Sequence, residues 1–334
     1  MISDAMLPTI FMGLIGIAIF AYAVLDGYDL GVGILLPTKP NRQEQRDQMI
    51  ASIGPFWDAN ETWLVLAVGL LLIAFPAAHN VILRELYLPA TTMLIGLIVR
   101  GVAFDFRAKA ITSHRLLWDR AFKVGSLLTA LTQGYMLGRY VLGFSQAPEA
   151  YGFALLSSLC VTASYAFIGG AWLVMKTEAE LQSWVARATR RAAWLAALGI
   201  LAVSLVNPLV SSEVFQRWFS FPAAILLMPL PLVCVGLFIV MDRYLAHMPH
   251  HQDFGCWIPF VVAVTVFFLC FSGLAYSFYP YVIPGQLTAM AAASAPESLR
   301  FILAGALVVV PIILIYTAFS YRVFWGKVGE LRYY

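Results

Sequence analysis

Residues 8–36 read PTIFMGLIGIAIFAYAVLDGYDLGVGILL, an almost unbroken apolar run. A helix needs about 20 mostly apolar residues to cross a bilayer, and this stretch supplies them. Charge enters only at Asp26 and Asp29, toward one end. Eight further runs of the same kind follow, over 51–75, 80–104, 121–143, 151–176, 191–210, 219–242, 255–280 and 299–325. They end at Pro37, Pro76, the polar stretch 107–120, Pro148, the polar stretch 177–191, Pro222, the His-rich 247–253, and Pro280 with Pro284. The pattern predicts an all-α polytopic membrane protein with nine transmembrane helices. Connectivity divides them into two four-helix bundles, 8–143 and 151–280, plus a peripheral helix at 299–325, in one membrane-embedded domain over 1–334.

Composition agrees. The 334 residues are 61% hydrophobic and 12% charged, with a mean hydropathy of +0.81. A soluble domain carries about 25% charge. Aromatic residues at 14% suit the Trp and Tyr belts of membrane interfaces. The net charge of +3 is small and spread over loops, so no nucleic-acid partner is expected. Cys160, Cys234, Cys256 and Cys270 are scattered without a CxxC pair and read as apolar packing residues, not as a metal site. The first residues, MISDAMLPTIFMGLIG, carry Asp4 but no Lys or Arg, and no A-x-A site follows. They read as a retained first helix, not as a cleaved signal.

Lys and Arg concentrate in loops on the cytoplasmic side. With the N-terminus outside, sixteen of the 21 fall inside, within 39–46, 107–123, 176–191, at Arg243 and within 322–332. Four fall outside: Arg84, Arg139, Arg217 and Arg300. Arg100 lies within the third span. The split predicts N-out, C-in and an odd number of spans.

That orientation brings the acids together. Asp26 and Asp29 lie toward the inner end of the first helix. Asp58 and Glu61, in GPFWDANETWL, open the second at the same end. Arg100 and Asp105, in GLIVRGVAFDFRAK, close the third there. Asp26 and Asp29 are three residues apart, as are Asp58 and Glu61, so each pair shares a helix face. Carboxylates held together in a low dielectric keep and exchange protons that isolated ones have already released. Arg100 is the natural charge partner that holds one of them ionised. A carboxylate chain opening on the cytoplasm reads as a proton path of Asp26, Asp29, Asp58, Glu61 and Asp105. The plainer reading is that each acid snorkels to the interface. Five acids and an arginine on three successive helices weigh against it; Glu61, the deepest, is hardest to explain that way, and Asp105 the easiest. The second bundle offers no such set, only Cys160, Thr162, Ser164, Asn207 and glycines.

Other motifs have simpler explanations. Gly27 with Gly31, Gly134 with Gly138, and Gly169 with Gly170 suit close helix packing. No strand precedes Gly31 and Gly33, so a nucleotide loop is not indicated. His79, His114, His247, His250 and His251 all fall in loops or at helix ends, and Met136, Met175 and Met228 read as apolar filler. Haem needs an axial ligand held in a pocket, so none is expected to be bound by this chain alone. YSFYPYVIPGQ at the outer end of the eighth helix reads as a proline stop within an aromatic belt, or as a rigid turn that docks a partner.

LDGYDLGVGILLP, GPFWDANETWLV, RGVAFDFRAK, FYPYVIP and VVVPIILIYTAFSYRVFWGKV, in that order from residue 25 to residue 327, resemble subunit II of the cytochrome bd-type quinol oxidases. The ANETW form and the short stretch between the sixth and seventh helices are most similar to the cyanide-insensitive branch. The resemblance implies a bacterial inner-membrane heterodimer with a haem-bearing subunit I, which oxidises membrane quinol and reduces dioxygen to water without pumping. It implies haems b and d (or b) in the partner, a stabilising and proton-supplying role for this chain, and a small accessory subunit in some members. It carries proton entry most directly onto Asp58 and Asp105, with Asp26 and Asp29 nearby. It also implies a structural quinone or phospholipid near Trp57, Asp58, Asp29 and Arg100. The catalytic quinol site belongs to subunit I. Two rival readings of the acids are a proton-coupled secondary transporter, which predicts similar polar content in both halves, and a scaffold in which they only form ion pairs.

Overall fold

The computed structural model describes residues 3–110, 114–248 and 253–328. Among the described residues, nine long helices carry the fold: α1 (Leu7–Leu35), α3 (Trp57–Ala74), α4 (Pro76–Lys109), α5 (Arg115–Val141), α6 (Pro148–Lys176), α7 (Ala179–Val210), α10 (Pro229–Ala246), α11 (Ile258–Phe278) and α13 (Pro296–Val323). Short helices join them: α2 (Gln43–Ala51), α8 (Ser212–Phe219), α9 (Ala223–Leu227) and α12 (Ala289–Ala292). Proline opens α4, α6, α10 and α13, where its missing N–H has no partner to lose.

Several boundaries differ from the sequence reading. The second run was expected from residue 51, but α3 begins at Trp57. Pro55 disfavours helical backbone at the residue before it, and a turn separates α3 from the short, polar α2. The third run extends to Lys109, so Asp105 and Arg107 are helical. The seventh run, expected over 219–242, is interrupted between α9 and α10. Pro229 and Pro231 cannot donate to the preceding turn. The aromatic turn after α11 forms a small ribbon, in which β1 (Tyr281–Ile283) pairs antiparallel with β2 (Leu287–Thr288).

Eight helices among the described residues are long and apolar enough to cross a membrane. The remaining long one, α5, has the length but carries Arg115, Asp119, Arg120, Lys123 and Arg139. It packs against α1, α4 and α6; Asp119 pairs with Arg107 of α4 and Arg46 of α2, and Lys123 donates to the Leu36 carbonyl at the end of α1. His250, His251 and Arg332 lie outside the described residues.

Helix α6 packs against both α5 and α1. Tyr28, Leu30 and Val32 of α1 and Ile168, Ala171 and Leu173 of α6 are fully buried in one core. Glycine sets the distance between the two helices: a Cβ on Gly31 would overlap the Tyr165 carbonyl oxygen, and Gly169 lies against the Gly31 backbone. Close approach through small residues is how helices associate where both sides are equally apolar. Gly31→Ala is expected to destabilise by about 1–3 kcal/mol, the cost of overpacking against rigid backbone. Gly13→Ala, with nothing near its added carbon, is the control. Thermal unfolding of the two variants in detergent checks the difference. Two cysteines remote in sequence, Cys234 of α10 and Cys270 of α11, lie side by side.

Candidate functional site

Arg100 on α4 is wholly buried between α1 and α3. The crossing of Gly96 on α4 with Gly125 on α5 seats it, since Gly125 lies directly against the Arg100 backbone. The guanidinium faces three carboxylates. Nη1 donates to Asp26 Oδ1 at 2.8 Å and to Glu61 Oε1 at 2.9 Å. Nη2 lies 3.9 Å from Asp29 Oδ2. Asp26 and Asp29 have no exposed surface, whereas the Glu61 side chain is 28% exposed. The trio therefore touches the outside only through Glu61.

Two polar extensions leave this centre. One runs through Asn60, whose Nδ2 donates to Asp29 Oδ2 at 2.8 Å and to Tyr28 Oη at 3.0 Å. Tyr28 and Tyr321 hydroxyls are 2.6 Å apart, and Tyr321 donates to Asn60 Oδ1 at 3.4 Å. The other starts at Tyr22, whose hydroxyl lies beside Asp26. Gln133 Nε2 donates to Tyr22 Oη at 2.6 Å, and Tyr165 donates to Gln133 Oε1 at 2.7 Å. Asp26 Oδ2, Asp29 Oδ1, Arg100 Nε and Nη2, and Thr129 Oγ1 make no hydrogen bond within the chain. Buried polar atoms seldom stay unpartnered, so the centre keeps capacity for further hydrogen bonds.

The structure thus gathers Asp26, Asp29, Glu61 and Arg100. It leaves Asp58 and Asp105 on the exposed surface. Asp58 stands one turn before Glu61 on α3. The set expected to hold a quinone or lipid divides similarly. Trp57 is half-buried and Asp58 exposed, while Asp29 and Arg100 lie behind them without exposed surface. The Trp57 ring is 5.9 Å from the Arg100 guanidinium and 5.0 Å from the Phe104 ring.

A second cluster had registered only as loop charge. Asp119 of α5, 2% exposed, accepts from Arg46 Nε at 2.6 Å and from Arg107 Nε at 2.5 Å. Arg107 also reaches Asp47 at 2.5 Å, and Arg46 caps the Lys39 carbonyl at 2.6 Å. It ties α2 to α4 and α5. Asn60 could have been found from its place between the flagged Asp58 and Glu61. Tyr321 and Gln133 carried no local signal, because helices far apart in sequence bring them in.

His79 lies in the first turn of α4, His114 precedes α5 and His247 follows α10. No group of three or more metal-binding side chains occurs among the described residues.

Fold and site together define a polytopic membrane protein that keeps an arginine and three carboxylates inside its helical bundle. A family model described as cytochrome bd terminal oxidase subunit II matches residues 7–324, and the chain belongs to that family. It is 28% identical to cytochrome bd-I ubiquinol oxidase subunit 2 of Escherichia coli strain K12, over 99% of this chain and 97% of the relative. It is 24% identical to cytochrome bd ubiquinol oxidase subunit 2 of Bacillus subtilis strain 168, over 95% of each. The fold is similar to that of the bd oxidase from Geobacillus thermodenitrificans, with a TM-score of 0.77, 17% identity and coverage of 95% of this chain and 98% of the other. The chain is a multi-pass protein of the bacterial inner membrane.

Proposed function

We propose that this chain pairs with a haem-bearing subunit I to oxidise membrane quinol and reduce dioxygen to water, and that it brings cytoplasmic protons to that reaction. The orientation is N-out, C-in. The partner's haems supply electron transfer and oxygen chemistry; this chain holds and moves protons.

The charge balance around Arg100 carries the reading. One guanidinium neutralises one carboxylate, and Asp26, Asp29 and Glu61 are three. Net charge in a low-dielectric interior is costly, and bound protons remove it. The cluster is therefore a proton store whose occupancy changes with small changes in its surroundings. Exposed Asp58 collects protons, and Glu61 passes them inward across one helical turn. Asp26 and Asp29 then exchange them past Arg100, over the atoms that lack hydrogen bonds within the chain. Tyr22, Gln133 and Tyr165 extend the path toward the second bundle. Asp105 adds to the collecting surface at the same end of α4. A quinone or phospholipid lying over Trp57 and Asp58 would cover the entrance.

The complex co-purified with subunit I provides the test. Glu61→Gln is expected to slow dioxygen reduction by about tenfold or more, as loss of a proton-transfer group does, with the haem spectrum intact. Asp58→Asn slows it less, and Asp58→Asn with Asp105→Asn slows it further. Wild-type turnover and pH dependence in all three variants would sink the reading. Loss of assembly in place of slow turnover would make the acids a scaffold.

A further inference from the structure

We propose that the exposed stripe of α7 binds an anionic phospholipid, whose phosphate is held by Arg187 and Arg191 of α7 and Arg243 of α10.

The stripe runs along one face of the helix. Helix α7 packs on α6, α10 and α8. Residues three and four apart share a helix face. On the uncovered face Arg187, Arg190 and Arg191 come first and Trp194 follows within one turn. Leu195, Leu198, Leu201, Leu205 and Leu209 continue toward the other end. All nine side chains are exposed. Positive charge, then an aromatic ring, then hydrocarbon matches the order of phosphate, glycerol and acyl chains in a phospholipid. From Trp194 to Leu209 the helix rises about 22 Å. That is enough to line one leaflet of a hydrocarbon core about 30 Å thick, and it sets the arginines at headgroup depth. In the proposed orientation this end of α7 faces the cytoplasm.

Asp242 of α10 is an acid at this level, and it is already occupied. It accepts from Arg190 Nε and Nη2 at 2.5 and 2.9 Å and from Trp194 Nε1 at 2.7 Å. These bonds join α7 to α10 and bring Arg243, the next residue of α10, to the same level. Arg187, Arg191 and Arg243 form no side-chain ion pair or hydrogen bond among the described residues. Glu178 and Glu180 are exposed near the start of α7, but Arg187 stands about 10 Å further along the helix than Glu180.

The buried arginines behave otherwise: Arg46, Arg100 and Arg107 each meet a carboxylate of this chain. Three cations without one, beside a strip of leucines, suit an anion that carries its own hydrocarbon. Free phosphate lacks the chains, and a zwitterionic lipid adds an ammonium that the arginines repel. An anionic phospholipid satisfies both parts. Each basic group near a membrane surface strengthens the binding of anionic lipid by about fivefold, so three give about a hundredfold.

The oxidase assembled with subunit I, purified in dodecyl maltoside and freed of lipid, provides the test. It is offered phosphatidylglycerol or phosphatidylcholine with the same oleoyl chains, and bound lipid is counted by native mass spectrometry. The wild-type complex is expected to prefer phosphatidylglycerol, less so as salt is added. Arg187→Gln, Arg191→Gln and Arg243→Gln together weaken that binding by about a hundredfold. Lys39→Gln, Lys109→Gln and Arg120→Gln remove the same charge from other exposed positions and leave it in place. Equal binding of the two lipids, unchanged binding in the arginine variant, or an equal loss in both triple variants overturns the proposal. Inorganic phosphate that competes as well as phosphatidylglycerol makes this a free-anion site. An arginine variant that purifies without subunit I makes the stripe part of the subunit interface. Either outcome overturns the proposal too. Should the triple variant not accumulate, Arg187→Gln with Arg191→Gln is read by the same binding. A loss of about twentyfold is then expected, and wild-type affinity overturns the site.

Discussion

Arg100→Met is expected to cost the protein most of its accumulation in the membrane. The substitution leaves Asp26 and Asp29 fully buried, and Glu61 largely so, with no counter-charge within reach. Removing one partner of a buried ion pair costs about 3–5 kcal/mol. Here one cation serves carboxylates from α1 and α3 together, so the loss falls toward the upper end of that range. Proton uptake by the acids offsets part of it, but each neutral acid still needs hydrogen-bond partners that Arg100 supplied. Arg100→Lys is no remedy. A single ammonium cannot present one nitrogen to Asp26 and Glu61 and a second to Asp29, as the planar guanidinium does. Yield and Tm of the complex purified with subunit I measure the effect. Wild-type yield and Tm for Arg100→Met would show that the cluster does not hold α1, α3 and α4 together.

Asp119→Asn comes next, again at about 3–5 kcal/mol. Asp119 uses both oxygens, one on Arg46 and one on Arg107, and both arginines are almost wholly buried. Asparagine keeps one acceptor and turns an N–H toward the other guanidinium, so one arginine loses its buried carboxylate contact and faces a donor instead. Asp47 gives the contrast within the same network. Its side chain is 41% exposed, and exposed pairs are worth about 0–1 kcal/mol. Asp47→Asn should barely move Tm, and its small effect should shrink as salt is added. Equal Tm losses for the two variants would mean that burial does not set the strength of this network.

Which parts of this could be read from the chain follows from what each signal depends on. The spans were legible because hydropathy is summed over many residues and needs no knowledge of neighbours. Their ends were less so. Pro55 and Pro229 broke helices that mean hydropathy had joined, and α5 kept helical length despite charges that lower its apolarity. Among the acids, the three-residue spacing placed Asp26 with Asp29 and Asp58 with Glu61 on common faces. It could not tell which face looks inward. The structure turns Asp26, Asp29 and Glu61 toward Arg100 and leaves Asp58 and Asp105 outside. Tyr28 and Tyr321 were invisible for another reason: a phenol in an apolar helix looks ordinary until tertiary packing gives it a partner. Arg107 and Asp119 illustrate the same limit with charge, since they looked like solvated loop ends and are the core of a buried network.

Arg100 and Arg107 are seven residues apart on α4, two turns along one face and about 10 Å in height. Each is seated among acceptors from other helices, Arg100 on α1 and α3, Arg107 on α2 and α5. The helix therefore behaves like a shaft with two keys. A slip of one residue along its axis, about 1.5 Å with a 100° turn, would unseat both arginines together. Sliding and rolling are closed to α4 as separate motions, and it can shift only as a rigid block with its neighbours. Mechanical stiffness of that kind suits a subunit whose carboxylates must return to the same positions turnover after turnover.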